Sequence, residues 1–103
     1  MQDSLRGHVD LLLLSVLGGK PAHGYALAEA LRSRSEGAFD LAEGTIYPAL
    51  YRLERQGLVE SSWEPGQTRR RRVYRLTRKG ASALRQERAA WDEYVSAMRA
   101  VLA

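Results

Sequence analysis

The sequence predicts a mainly α-helical domain that carries a two-stranded wing and ends in one long helix. Three observations predict it: apolar residues at helical spacing in four segments, two short alternating segments around a turn, and a regular apolar repeat near the carboxyl end. Because the chain has only 103 residues, a monomer would be marginally stable. We therefore expect an oligomer.

The first helix is predicted over residues 4–17, where leucine and valine recur on nearly every side. Gly18, Gly19 and Pro21 end it. A helix this apolar must be covered from two directions, which so short a chain can hardly do alone. A second helix is predicted from about Gly24 to Ser33, with Tyr25 in its first turn.

A third helix is predicted from about Glu43 to Gln56, followed by Gly57 at the usual stopping position. Pro48 should lie in or near the first turn of this helix, since a proline deep inside a helix costs about 3 kcal/mol. Two strands follow, over residues 58–64 and 71–77, with a hairpin tip at residues 65–68.

Thr77 is expected to cap the last helix, which runs from Arg78 to near the end of the chain. Its apolar positions alternate steps of three and four, which is typical of a coiled-coil seam with one polar position, Arg88. The seam predicts a dimer interface. The seam positions are Ala81, Leu84, Arg88, Trp91, Val95, Met98 and Leu102. The predicted interface residues among them are Leu84, Trp91, Val95, Met98 and Leu102. The alternative is an ordinary amphipathic helix that folds back onto its own core.

Positive charge is concentrated in one segment. Residues 66–85 hold 8 of the 16 Lys and Arg residues and none of the 12 acids. Arg suits bidentate phosphate contacts and narrow minor grooves better than Lys does, so this patch favours a polyanion as partner. A solvated charged loop is the other interpretation.

The predicted order is helix, helix, helix, strand, basic tip, strand, helix, which is that of a winged helix-turn-helix followed by a long helix. Residues 1–77 would form the DNA-binding domain and residues 78–103 the C-terminal dimerisation helix. In this fold the third helix enters the major groove and the hairpin reaches beside it. Thr45, Pro48 and Arg52 then share an outward face, flanked by Tyr47, Tyr51 and Arg55.

Several other function classes are disfavoured. Without cysteine the chain has no disulfide, thiol nucleophile or cysteine-based metal site, and we expect no cofactor and no metal. The apolar run at residues 11–14 is too short for a membrane span, so we expect a cytoplasmic protein. His8 and His23 lack a motif linking them to a nucleophile, and they are interpreted as a helix-surface residue and a turn residue. An enzyme is not expected.

Five segments together resemble the PadR family of transcriptional regulators, and the match spans residues 5–80. They are residues 10–17, 21–27, 43–50, 52–58 and 74–80. The combination of His23-Gly24-Tyr25 with the Gly-Thr-Ile-Tyr-Pro run at 44–48 and the Tyr-Arg-Leu-Thr run at 74–77 is specific. The short tail resembles the small subfamily, which has a single C-terminal dimerisation helix.

The resemblance implies a homodimeric regulator, usually a repressor, that binds a palindromic double-stranded DNA operator and releases it on a small-molecule or stress signal. It implies DNA contacts from the second helix, the third helix and the wing. These residues are Tyr25, Thr45, Tyr47, Pro48, Arg52, Arg69, Arg70 and Arg71. Ala42 and Val73 depart from the family pattern, so the family's contacts are not assumed at these two positions.

In multidrug-sensing relatives, a tryptophan on the last helix stacks planar aromatic compounds between the subunits. Trp91 matches that position, with Leu11, Ser15, Arg88 and Val95 nearby, so the resemblance implies a small planar aromatic effector. Packing alone is the other interpretation of Trp91, and Arg88 argues against a cationic ligand. The rival function is a winged-helix module that binds protein without DNA; it gives no reason for a basic hairpin tip.

Overall fold

The computed structural model describes residues 8–65 and 71–103, and it contains four helices and three strands within them. The elements in chain order are α1 (Val9–Leu17), β1 (Ala22–His23), α2 (Gly24–Arg34), α3 (Glu43–Arg55), β2 (Val59–Trp63), β3 (Arg72–Leu76) and α4 (Arg78–Leu102). The predicted fold, a mainly helical winged domain with a long last helix, is confirmed.

The core is formed by α1, α2 and α3, with one edge closed by the sheet and the start of α4. Leu13, Leu27, Leu50 and Leu53 are completely buried at its centre. Helix α1 begins at Val9, which is later than the predicted start at residue 4, and residues 4–7 lie outside the described part of the chain. Most of α1 is buried or half-buried, as its apolar sequence requires.

The sheet has three antiparallel strands in the order β1-β3-β2, so the prediction of only two strands was incomplete. In the added strand, Ala22 pairs with Tyr74 and His23 with Val73. A strand of two residues is too short to show alternation of apolar and polar residues, and it is recognised only through its partner. This pairing fixes the start of α2 against the hairpin.

Helix α3 begins at Glu43 and ends at Arg55, close to the predicted bounds. Pro48 is the sixth residue of α3 and lies in its second turn. Proline has no amide hydrogen, so the one helical hydrogen bond that is missing is the bond to the carbonyl of the exposed Gly44. Gly57 has a φ of 77°, the left-handed conformation that ends many helices. Its amide donates to the Glu54 carbonyl at 3.0 Å.

Helix α4 has 25 residues, which corresponds to roughly 38 Å. The Thr77 hydroxyl accepts a hydrogen bond from the Gly80 amide at 3.0 Å, so the predicted cap is confirmed. Leu84 is buried against the body, but from Arg85 onward every residue of α4 except Val95 is exposed. Among the described residues, no helix combines the length and apolar character needed to cross a membrane.

Candidate nucleic-acid interface

The structure brings the first turn of α2, the first half of α3 and the base of the hairpin to one side of the domain. They enclose an open groove with a volume of about 620 Å³. Its lining is aromatic and basic with a single acid, Glu43. The lining residues are His23, Tyr25, Glu43, Tyr47, Trp63, Arg71, Arg72 and Tyr74. Three predicted DNA-contacting residues, Tyr25, Tyr47 and Arg71, therefore share one surface.

Gly24 makes room for Tyr47 in this groove. A β-carbon at position 24 would lie 2.6 Å from two ring carbons of Tyr47 and 2.6 Å from its hydroxyl oxygen. Gly24 is buried and Tyr47 remains 42% exposed, so the phenol end of Tyr47 packs against the start of α2 while part of the side chain stays open to solvent. Sequence reasoning used the glycine only as part of a motif and missed this steric role, because the two residues are far apart in the chain.

The structure exposes the predicted outward face of α3, including Thr45, Pro48 and Arg52. Thr45 and Pro48 are exposed, while Ile46, Ala49 and Leu50 on the opposite side are buried. Arg52 is not free on this face: its guanidinium pairs with the Asp10 carboxylate of α1. Both side chains remain about half exposed, so this ion pair contributes little to stability and can be exchanged for another partner. No motif in the sequence indicated this contact.

A polar chain links the hairpin to the end of α3. Arg72 Nε donates to the Ser61 hydroxyl at 2.7 Å, and this hydroxyl donates to the Glu54 carboxylate at 2.8 Å. The Arg72 guanidinium also lies 5.1 Å from the centre of the Trp63 ring. These contacts hold Arg72 at the edge of the groove.

Tyr74 lies behind this polar chain on the central strand and is buried. Burial raises the pKa of the Tyr74 hydroxyl above its usual value, and the nearby Glu54 carboxylate adds to the rise. Tyr74 is therefore a neutral, structural part of the groove floor. Arg69 and Arg70, which were predicted to contact DNA, lie outside the described residues, as does most of the predicted hairpin tip.

His23 has a larger role than the turn residue expected from the sequence. Its Nδ1 accepts a hydrogen bond from the Ala26 amide at 3.3 Å and so caps α2. Its Nε2 lies 3.3 Å from Nη1 of Arg71, and its ring stacks on Tyr25 with centroids 6.5 Å apart. A histidine directly before a predicted helix is the one sequence signal that could have indicated the cap.

The part of α4 up to Val95 packs on α1, where the predicted effector residues meet. Nη2 of Arg88 donates to the Ser15 hydroxyl at 3.3 Å. The Trp91 ring meets the His8 ring edge-on with centroids 4.8 Å apart and stacks on Tyr94 at 5.8 Å. Leu11 and Val95 are half-buried nearby. Over this part, α4 folds back onto its own domain, as the alternative interpretation of the seam expected.

The end of α4, from Ser96 to Leu102, has no such cover within the domain. Met98 is 43% exposed and Leu102 75% exposed, although both belong to the predicted seam. The described residues include no cluster of His, Asp or Glu side chains that could hold a metal ion. Among the described residues, the basic groove and the exposed apolar side chains at the end of α4 are the two candidate partner surfaces.

Comparison with known proteins gives one consistent result. The family model for the transcriptional regulator PadR-like family matches residues 13–86. A transcriptional regulator of Mycobacterium tuberculosis, Rv3488, is 37% identical over 93 residues, covering 90% of this chain and 84% of the relative. These proteins are regulators, so the prediction that the chain is not an enzyme is confirmed.

Solved structures agree with this result. A PadR family transcriptional regulator from Eggerthella lenta is 36% identical, with a TM-score of 0.84 over 96% of this chain and 86% of that one. A transcriptional regulator from Clostridium thermocellum is 29% identical, with a TM-score of 0.87 over 96% and 94% of the two chains. The family expected from the sequence motifs is thus confirmed, and the chain belongs to the PadR-like family of transcriptional regulators.

Proposed function

We propose that this regulator acts in the cytoplasm as a homodimer that binds a palindromic double-stranded DNA operator and represses transcription until a signal releases it. The observation that carries the proposal is the convergence of α2, α3 and the hairpin on one aromatic and basic groove. Phosphate contacts need cations and hydroxyl donors, and base contacts need an exposed helix face beside them.

The exposed side of α3 supplies the base-reading surface in this proposal. Thr45 and Pro48 face solvent near its amino end, and this half of a recognition helix meets base edges in helix-turn-helix complexes. Tyr25 on α2 is 62% exposed, and Arg71 and Arg72 at the base of the hairpin are also exposed. Their positions together in the groove beside α3 suit contacts with DNA phosphates.

The proposed dimer rests on the apolar seam of α4. Trp91, Met98 and Leu102 are exposed in the monomer, and burying such side chains yields about 25 cal/mol per Å² of apolar surface. A second copy of α4 supplies the same apolar positions at matching spacing. Two linked domains would then meet the two halves of a palindrome.

The proposed signal is a small planar aromatic compound bound next to Trp91. The ring of Trp91 is 39% exposed and already stacks on Tyr94, so it offers a flat surface at the junction of α1 and α4. Arg88, paired with Ser15, adds a positive charge at this place and favours neutral or anionic ligands. Leu11 and Val95 complete the apolar lining of the proposed effector site.

DNA binding is tested by the salt dependence of affinity. Arg71→Ala is expected to weaken binding to all duplexes alike and to lower the slope of log affinity against log salt by about 0.9, the value for one lost phosphate contact. Fluorescence anisotropy with a labelled duplex at several salt concentrations measures this slope. Arg34→Ala, at the opposite end of α2, is the matched control and should leave it unchanged. A wild-type protein without affinity for any duplex would favour the protein-binding module instead.

Base reading through α3 is tested by the choice of operator. Arg52→Ala is expected to reduce discrimination at one base pair of each half-site by about 1–3 kcal/mol, because a guanidinium that leaves Asp10 can contact a guanine edge. Selection from a randomised duplex library followed by sequencing measures this preference. Arg55→Ala, one turn further along α3, should leave the selected sequence unchanged. Equal loss of affinity for every sequence in Arg52→Ala would contradict direct reading by this residue.

A further inference from the structure

The His23 ring faces two hydrogen-bond donors, and it can accept from only one of them. The Ala26 amide lies 3.3 Å from Nδ1, and Nη1 of Arg71 lies 3.3 Å from Nε2. A neutral imidazole has one acceptor nitrogen and one N–H group. One of the two contacts therefore places a donor against a donor.

The helix cap decides which nitrogen carries the hydrogen. The Ala26 amide belongs to the first turn of α2, where amides have no carbonyl partner within the helix. Arg71 is exposed and carries several N–H groups that water can satisfy. Nδ1 therefore remains the acceptor for Ala26, and Nε2 carries the hydrogen. The Nε2–H group and the Arg71 guanidinium then point toward each other as two donors without an acceptor between them.

An oxyanion resolves this conflict, because its oxygens accept from both groups at once. The place suits a phosphate on a polymer: the groove is open, and its lining has two cations, Arg71 and Arg72, against one acid, Glu43. Arg72 is already held by Ser61 and Trp63, so Arg71 is the cation that faces His23. Tyr25, stacked on the His23 ring, closes one side.

We propose that His23 and Arg71 together bind one backbone phosphate of the DNA, His23 Nε2–H donating to one non-bridging oxygen and the Arg71 guanidinium to the other. This inference rests on the proposed function and adds a phosphate ligand, His23, and its place in the groove. The Ala26 amide holds the imidazole in the tautomer that donates outward. His23 thus contributes an uncharged hydrogen-bond donor. Arg71 contributes a donor and a positive charge, and its charge releases counterions from the DNA.

The experiment is a methylphosphonate scan, in which each phosphate of a bound duplex is replaced in turn by an uncharged group. In the wild-type protein, one replacement in each half-site should lower affinity at least about tenfold, since a hydrogen bond to a charged group is lost with its charge. The same replacement should cost less in His23→Ser and in Arg71→Ala, and nothing in the double variant. His23→Ser retains an oxygen that caps α2 but removes the outward N–H group.

Thermal stability and imidazole ¹⁵N resonances separate loss of the helix cap and binding of free anions from loss of the phosphate contact. His23→Ala, which removes the cap as well, should match His23→Ser in the phosphate profile and fall below it in thermal stability. A profile in His23→Ser identical to that of the wild type, with DNA still bound, would overturn the inference and leave the proposed function intact. A wild-type protein that binds no duplex would overturn both. If inorganic phosphate alone shifts the His23 imidazole ¹⁵N resonances as duplex does, the site takes free anions and the assignment to backbone is wrong.

Discussion

Replacing Gly80 with alanine is expected to lower the free energy of unfolding by about 3 kcal/mol, the upper end for inserting a methyl group into a packed site. A β-carbon at position 80 would lie 1.8 Å from the carbonyl oxygen of Leu58 and 2.8 Å from its carbonyl carbon. No rotamer change relieves this clash, because the obstructing atoms belong to the backbone. A loss of this size is a large part of the stability of a small domain.

The backbone around Leu58 is held in place, which makes the clash costly. The Leu58 carbonyl accepts from the Thr77 amide at 3.1 Å, and the Thr77 hydroxyl donates to the Gly57 carbonyl at 2.6 Å. Lys79 Nζ donates to the Gln56 carbonyl at 2.9 Å. The start of α4 is thus fastened to the turn that ends α3. To admit a methyl group at Gly80, α4 must move away from this turn and break several of these bonds.

Thermal and urea unfolding at one fixed protein concentration measures the effect, with an expected fall in melting temperature of at least about 10 °C. The matched control is Gly44→Ala in α3. It makes the same substitution in a helix, but nothing lies within 4 Å of the added β-carbon. The control should be as stable as the wild type or slightly more so, since alanine favours helix over glycine by up to about 1 kcal/mol. If Gly80→Ala were as stable as the wild type, the backbone at the start of α4 could move away from Leu58 at little cost, and the expected clash would be contradicted.

The elements of this fold were predictable because their signals are local. Apolar spacing predicted α2 and α3 to within one residue at each end, and Thr77 was predicted as the cap of α4 from its position before the helix. The exposure of Thr45 and Pro48 followed from the same spacing, since residues opposite a buried face must be outside.

What the sequence did not predict depends on contacts between distant residues. Asp10 pairs with Arg52 only because α1 and α3 lie side by side, and Gly24 is needed only because Tyr47 lies above it. Neither pair has a characteristic spacing. Strand β1 is likewise defined by its pairing to β3 rather than by any alternation of its own. Each of these contacts shapes the side proposed to face DNA, so the candidate site was less predictable than the core.

The last helix shows both a local signal that the sequence predicted and contacts with distant residues that it did not predict. Its seam was predicted from the sequence, yet the seam divides: Leu84 and Trp91 contact the domain itself, whereas Met98 and Leu102 remain exposed. The proposed dimer therefore depends on the part of α4 from Val95 to Leu102. Val95→Asp combined with Met98→Asp is expected to convert the dimer to a monomer, because two carboxylates would be buried opposite their own copies without partners.

Loss of the dimer should also lower the apparent affinity for a palindromic duplex by about 100-fold or more, since the second half-site is no longer bound by a linked domain. Sedimentation equilibrium measures the mass, and anisotropy with full and half operators measures the affinity. Ala97→Asp combined with Ala100→Asp adds the same charge to exposed positions on the opposite face of α4 and should leave both unchanged. A Val95→Asp, Met98→Asp protein that still sediments as a dimer would place the subunit contact elsewhere. Its affinity for a half operator should equal that of the wild type, because α3 and the groove lie outside the altered surface.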